Sequence, residues 1–160
     1  MLTPQDIQTV RRIVGSSVRA NDPENVDRTR RDFYVYEAEA LALAPAGNAN
    51  DIINIEADSD FLLQKFAYEA DIAAAAFTQN TKPLPLITIQ LIDSGSGRQL
   101  MQNPIPVTSF MGDGQLPFIL PNPRKFLRNS TIQVAFNNFD AAVTYNIRLA
   151  FIGYKIYGTV

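Results

Sequence analysis

Ser130-Thr131-Ile132-Gln133-Val134-Ala135-Phe136, the connection starting at Asn137-Asn138, and the run over residues 143–157 with Tyr145, Ile147, Leu149 and Phe151 decide the fold class. In the first stretch Ile132, Val134 and Phe136 alternate with polar or small residues. In the second the four apolar residues share one parity. A period of two sends successive side chains to opposite sides of an extended chain, so both stretches read as strands with one face toward a core. The second continues through Tyr154, Ile156 and Tyr157, long enough to lie inside a sheet with a neighbour on each side.

Working outward, the same pattern recurs between turn clusters. Residues 86–92 alternate Ile87, Ile89 and Leu91; residues 61–72 carry Phe61, Leu63, Phe66 and Tyr68; residues 51–57 alternate Ile53 and Ile55; and Phe33-Tyr34-Val35-Tyr36 is aromatic and β-branched. Residues 38–44 are Ala/Leu-rich and fit either a helix or a strand. Shorter strands are expected at residues 105–111 and 116–120. Turns fall at Pro45-Ala46-Gly47-Asn48, Asp93-Ser94-Gly95-Ser96-Gly97, Gly112-Asp113-Gly114 and Pro121-Asn122-Pro123. Prolines at positions 83, 85, 104, 106, 117, 121 and 123 belong at edges, strand starts or loops, because they donate no ladder hydrogen bond. From Asp51 onward no helix-length segment separates the strands. The chain therefore reads as mostly β, an antiparallel sandwich of jelly-roll or Greek-key type with about eight strands, since a parallel sheet needs crossover helices.

The N-terminus reads differently. Thr3-Pro4 is an N-cap followed by proline at the first helical position, Asp6 suits the first turn, and Gly15 stops the helix. Ile7, Val10, Ile13 and Val14 form one apolar stripe over three turns, too short to stand without something to dock on. Residues 16–32 are polar and turn-rich, either a solvated linker or an arm that orders on a partner. The expected division is an arm over residues 1–32 and a β-sandwich domain over residues 33–160.

The 160 residues suit one domain, and the apolar and charged fractions, 46% and 19%, are those of a globular protein. A net charge of -2 gives no footprint for a polyanion, so nucleic acid is not an expected partner. No apolar run is long enough for a membrane span, and Met1-Leu2-Thr3-Pro4-Gln5-Asp6 has no signal-peptide character, so a cytosol-like compartment is expected. There is no cysteine and no histidine, which removes thiolate metal sites and the commonest general acid or base.

The candidate chemistry is correspondingly thin. Glu56, Asp58 and Asp60 alternate as a glycosidase pair could, but Asp and Ser here also fit a turn cap between two strands, the better-supported reading. Asp58 and Asp60 with Asp113 could donate oxygens to Ca²⁺, although the loop lacks the spacing of a calcium loop. Gly95-Ser96-Gly97-Arg98 lacks the pattern of a phosphate loop and reads as a hairpin turn, with Arg98 free to pair with a carboxylate inside the fold or on a partner. No catalytic residue and no cofactor are expected. Contact residues are sought instead among Ile7, Val10 and Val14 of the helix stripe, Arg98, and the proline-flanked apolar residues Ile105, Val107 and Phe118, which either form subunit contacts or plug the ends of the sandwich.

The stretches Ile55-Glu56-Ala57-Asp58-Ser59-Asp60-Phe61, Asp93-Ser94-Gly95-Ser96-Gly97-Arg98-Gln99-Leu100, Gly114-Gln115-Leu116-Pro117-Phe118-Ile119-Leu120-Pro121 and Tyr145-Asn146-Ile147-Arg148-Leu149-Ala150-Phe151-Ile152-Gly153-Tyr154-Lys155-Ile156 together resemble small virion structural proteins of tailed bacteriophages. The resemblance spans roughly residues 33–157 and is greatest to capsid decoration or cement proteins. It implies a jelly-roll module that binds the outside of the head as a dimer or trimer, bridges neighbouring copies of the major capsid protein, and resides in a virion assembled in the host cytoplasm. It carries no catalytic residues. Neck, collar or tail components are the alternative address. A carbohydrate- or receptor-binding module using Tyr34, Tyr36 or Tyr68, and a glycosidase using Glu56, Asp58 or Asp60, are the alternatives of other classes.

Overall fold

A computed structural model describes residues 30–73 and 83–157. The helix stripe at Ile7, Val10 and Val14 lies outside the described residues. Residues 31–158 form one compact unit.

Along this unit run β1 (Arg31–Leu43), β2 (Asn48–Asn54), β3 (Ser59–Ile72), β4 (Ile87–Asp93), β5 (Arg98–Gln99), β6 (Ile105–Pro106), the single helical turn α1 (Val107–Phe110), β7 (Phe118–Phe126), β8 (Thr131–Asn138) and β9 (Tyr145–Tyr157). They build two antiparallel sheets. One has the order β1-β9-β3-β7; in the other β2-β8-β4 continues to β5, and β6 also pairs with β4. The alternation reads out directly as burial. Ile132, Val134 and Phe136 of β8 and Ile147, Leu149 and Phe151 of β9 are all fully enclosed, and they meet Phe61, Leu63, Ile89 and Leu91 in one core drawn from both sheets. This is the arrangement of a β-sandwich. As expected, β9 is an inner strand, between β1 and β3. Residues 38–44, open to either reading, are strand almost throughout.

Two expectations are corrected. Residues 105–111 do not form a strand: after the two-residue β6 the chain closes the helical turn α1, in which Met111 N–H donates to Val107 C=O at 2.9 Å. The turn rotates both Val107 and Met111 into the core. Pro121-Asn122-Pro123 does not end a strand either. It lies within β7, where a register shift opposite Leu63 and Lys65 leaves residues 120–123 without ladder partners. Proline is accepted there because β7 is an edge and its bulge requires no donor.

Two devices fix the register. Gly153 of β9 faces the irregularity in β3, and a Cβ there would stand 2.1 Å from Leu62 O, so only glycine lets the strands approach. Asn138 closes β8: its side-chain amide lies within donating distance of the carbonyls of Leu43 (3.1 Å), Ala44 (3.0 Å) and Val143 (2.9 Å), and its Oδ1 accepts the Asp140 N–H. A buried amide so placed supplies donors to carbonyls that no ladder reaches.

Candidate interaction surface

Each sheet has a solvent-facing side, and on the four-stranded sheet that side is half apolar. The ladder places Phe33, Tyr154 and Leu62 in one row across β1, β9 and β3, and Val35, Ile152, Lys65 and Ile119 in the next row across all four strands. Phe33 is 66% exposed, Val35 41% and Ile119 64%. Phe33 meets Tyr154 edge to face with ring centroids 6.4 Å apart. One solvated face of an antiparallel sheet is ordinarily polar, so these rows, apolar except for Lys65, make this face the candidate contact surface.

Further along the same face charge takes over. Arg148 Nε lies 3.3 Å from Glu39 Oε2 and 3.5 Å from Glu37 Oε1, with Glu69 paired opposite on β3. These are exposed ion pairs, each contributing little to stability. Beside them opens a shallow groove of about 580 Å³, lined among others by Val35, Glu37, Tyr68, Leu84, Asp113 and Arg148.

The sequence-expected residues fall elsewhere, on several elements. Val107, expected at a contact surface, is wholly enclosed in the core and cannot serve as one. Ile105 is half-buried opposite Ile89 at the margin of β4. Phe118 is 39% exposed and packs edge to face on Phe110 at the β7 edge of the four-stranded sheet. Arg98 is exposed in β5 and, among the described residues, makes no ion pair. The guanidinium that serves the glycine turn is Arg124: it donates to Asp93 Oδ2 at 2.9 Å and to Ser96 Oγ at 3.1 Å. Burial alone would raise the Asp93 carboxyl, but the donors Ser96, Arg124 and Gly95 outweigh it and hold the group below the usual carboxylate range.

The run from Glu56 to Asp60 behaves as a turn and its anchors. Asp60 is nearly buried, and Lys125 Nζ at 2.7 Å with the Arg128 backbone N–H at 3.0 Å overcome its desolvation and lower its carboxyl. Asp58 accepts from Ser59 Oγ at 2.9 Å. Glu56 meets the ammonium of Lys155, which is 5% exposed at the end of the core, 3.9 Å from the centroid of the Tyr34 ring. Burial pulls the Lys155 ammonium down, yet the hydrogen bond it donates to Glu56, together with the two tyrosines, leaves it raised overall. Each of the three carboxylates thus has a structural partner. Among the described residues no group of three or more Asp or Glu side chains is placed to hold a metal ion. The aromatics considered for sugar stacking are also engaged: Tyr36 is 9% exposed and packs on Phe61, and Tyr34 packs on Tyr36 and under Lys155.

Sequence reasoning missed the apolar outer rows, although the signal was present. On β9 the parity opposite to the core carries Ala150, Ile152, Tyr154 and Ile156, so from residue 150 the alternation is lost. A neighbour on each edge does not require that. Strands buried on both faces carry this pattern. Compared with protein-family models, curated proteins and solved structures, the chain finds no match in any of the three.

Proposed function

We propose that the chain is a non-catalytic virion structural protein of the decoration or cement type, a jelly roll that docks the outer face of its four-stranded sheet onto the major capsid protein. The observation that carries this is the pair of rows, apolar except for Lys65, from Phe33 to Leu62 and from Val35 to Ile119 on a face otherwise open to water.

The strand orders support the jelly-roll reading. Rolling an antiparallel ribbon of eight strands pairs first with last, second with seventh and so on, which gives sheets ordered 1-8-3-6 and 2-7-4-5. Counting the short β5 and β6 as one interrupted strand, the orders β1-β9-β3-β7 and β2-β8-β4-β5 match that scheme. Architectures of this type occur in viral capsid and lectin domains. Docking many identical copies onto a repeating shell stabilises the assembled form by mass action, and weak single contacts sum across the lattice. A homo-oligomer adds to this by engaging neighbouring capsid subunits together.

A second reading draws on the groove beside Tyr68, Glu37 and Arg148: in a lectin-like module those polar groups and Leu84 would hold a sugar of a receptor. Electron microscopy of purified particles from cells producing the chain, with mass spectrometry for copy number, separates the two. Density for the sandwich over the capsid lattice in stoichiometric copies is the expected result. Its absence from particles, combined with glycan binding by the free protein, would overturn the first reading.

A further inference from the structure

We infer that Lys65 selects the surface that the docking face accepts: its ammonium meets an aspartate or glutamate carboxylate that the partner protein presents in the middle of an apolar contact. This deepens the proposed function by giving the chemistry of the partner at that same face, and it rests on that reading.

Lys65 is the one charged residue in the row Val35, Ile152, Lys65 and Ile119, which crosses all four strands. Ile152 of β9 and Ile119 of β7 stand directly across from it on either side. Along its own strand the outward neighbours are Leu62 and Ala67. Lys65 is partly buried, while Val35 and Ile119 at the two ends of the row are exposed. The row lies away from Arg31 and Asp32 at the start of β1, which hold interactions of their own.

The other lysines among the described residues have carboxylate partners. Lys125 reaches Asp60 at 2.7 Å, and Lys155 meets Glu56. Lys65 has none among the described residues, and no acceptor meets its ammonium there. The carboxylates of the same sheet face, Glu37, Glu39 and Glu69, belong to other rows. Asp113, in the loop bridged to β3 at Ala67 and Gly112, accepts the amides of Gln115 and Leu116.

Water satisfies this ammonium in the free chain. Covering the row removes that water, and a lone buried ammonium is costly unless an opposite charge replaces it. A wholly apolar partner surface is therefore rejected, and so is a basic one. A carboxylate ringed by apolar residues fits both the charge and its surroundings, and discrimination of this kind is what a single charge inside an apolar contact supplies.

The test is co-sedimentation of the full chain with particles lacking it, for wild type, Lys65→Met, Lys65→Glu and Lys65→Arg, each first shown to melt as wild type does. Lys65→Met is close in volume to lysine and keeps the test decisive where Lys65→Glu disturbs the sheet. Expected is attachment at least about 30-fold weaker for Lys65→Met, which leaves the partner's carboxylate buried and unpaired. Lys65→Glu should bind more weakly still, and Lys65→Arg close to wild type. A lysine serving only to keep an apolar face soluble gives the opposite result, with Lys65→Met attaching as tightly as wild type or more tightly. That result, or undiminished attachment of Lys65→Glu, overturns the inference and leaves the docking reading standing. Wild-type chain that does not sediment with the particles defeats the docking reading, and this inference with it.

Discussion

The two sheets share a core, but their outward faces have different chemistry. On the five-stranded sheet the outward residues along β2, β8 and β4 are mainly amides and hydroxyls, Asn48, Asn50, Asn54, Gln133, Thr88 and Gln90 among them, interrupted by Ile52, Ala135 and Ile92. None of the outward residues in these ladders is charged. On the four-stranded sheet, Phe33, Val35, Ile152 and Tyr154 occupy one half and Glu37, Glu39, Arg148 and Glu69 the other. Neutral amides satisfied by water are a resting surface. Apolar rows bordered by charge resemble the core and rim of an interface, where burial drives association and the rim sets orientation. The difference teaches that function is to be sought on one face of one sheet, away from the turns where polar residues cluster.

The comparison depends first on the register that sorts side chains onto the two sides of β9. Gly153→Ala forces a methyl into Leu62 O, and the cost is expected to be about 3 kcal/mol, read as a drop in the denaturant midpoint. The outer rows should lose their order with it, seen as weakened protection of β9 amides in hydrogen exchange. A near-neutral Gly153→Ala would mean that the register has another source.

A smaller effect is expected between the sheets. Asp93 of β4 takes Arg124 from β7, tying the two layers, while Asp60 holds Lys125 and Arg128 at the end of one layer. Both carboxyls are lowered in the folded chain: burial opposes this, and the donors around each prevail. Their stabilisation is therefore full above the ordinary carboxylate range and is lost as pH falls through the lowered folded values. Asp93→Asn should cost about 2 kcal/mol at neutral pH by weakening its charged hydrogen bonds, and should flatten the acid limb of a stability profile. An acid limb unchanged in this variant would remove Asp93 from the account.

Least of all should come from the charged half of the outer face. Arg148→Ala, exposed and shared between Glu37 and Glu39, is expected to change stability by no more than about 0.5 kcal/mol. A larger loss would show that this half is part of the scaffold and blur the distinction drawn between the two faces.

Much of the scaffold was legible because two-residue periodicity is a local signal. Ile132, Val134 and Phe136 announce β8 by themselves, and the turn at Asp93 follows from its glycines. What was not legible depends on partners distant in the chain. Val107 reads as a strand residue flanked by prolines, and only the turn closed by Met111 sends it inward. Glu56 reads as a candidate acid until the fold brings Lys155 to it across 99 positions. Arg98 stands in the recognisable turn, while Arg124, in an unremarkable stretch, is the residue that serves it. The outer rows were half legible: the second parity of β9 was visible, but their assembly with Phe33 and Leu62 required the strand order.

The most direct test sets one aspartate on each outward face, Ile152→Asp against Gln133→Asp, and measures co-sedimentation of the purified chain with particles lacking it, after confirming that both variants melt cooperatively. Loss of attachment for Ile152→Asp with retention for Gln133→Asp is the predicted result. Retained attachment for a folded Ile152→Asp, or loss confined to Gln133→Asp, would contradict the assignment of the four-stranded sheet as the docking face.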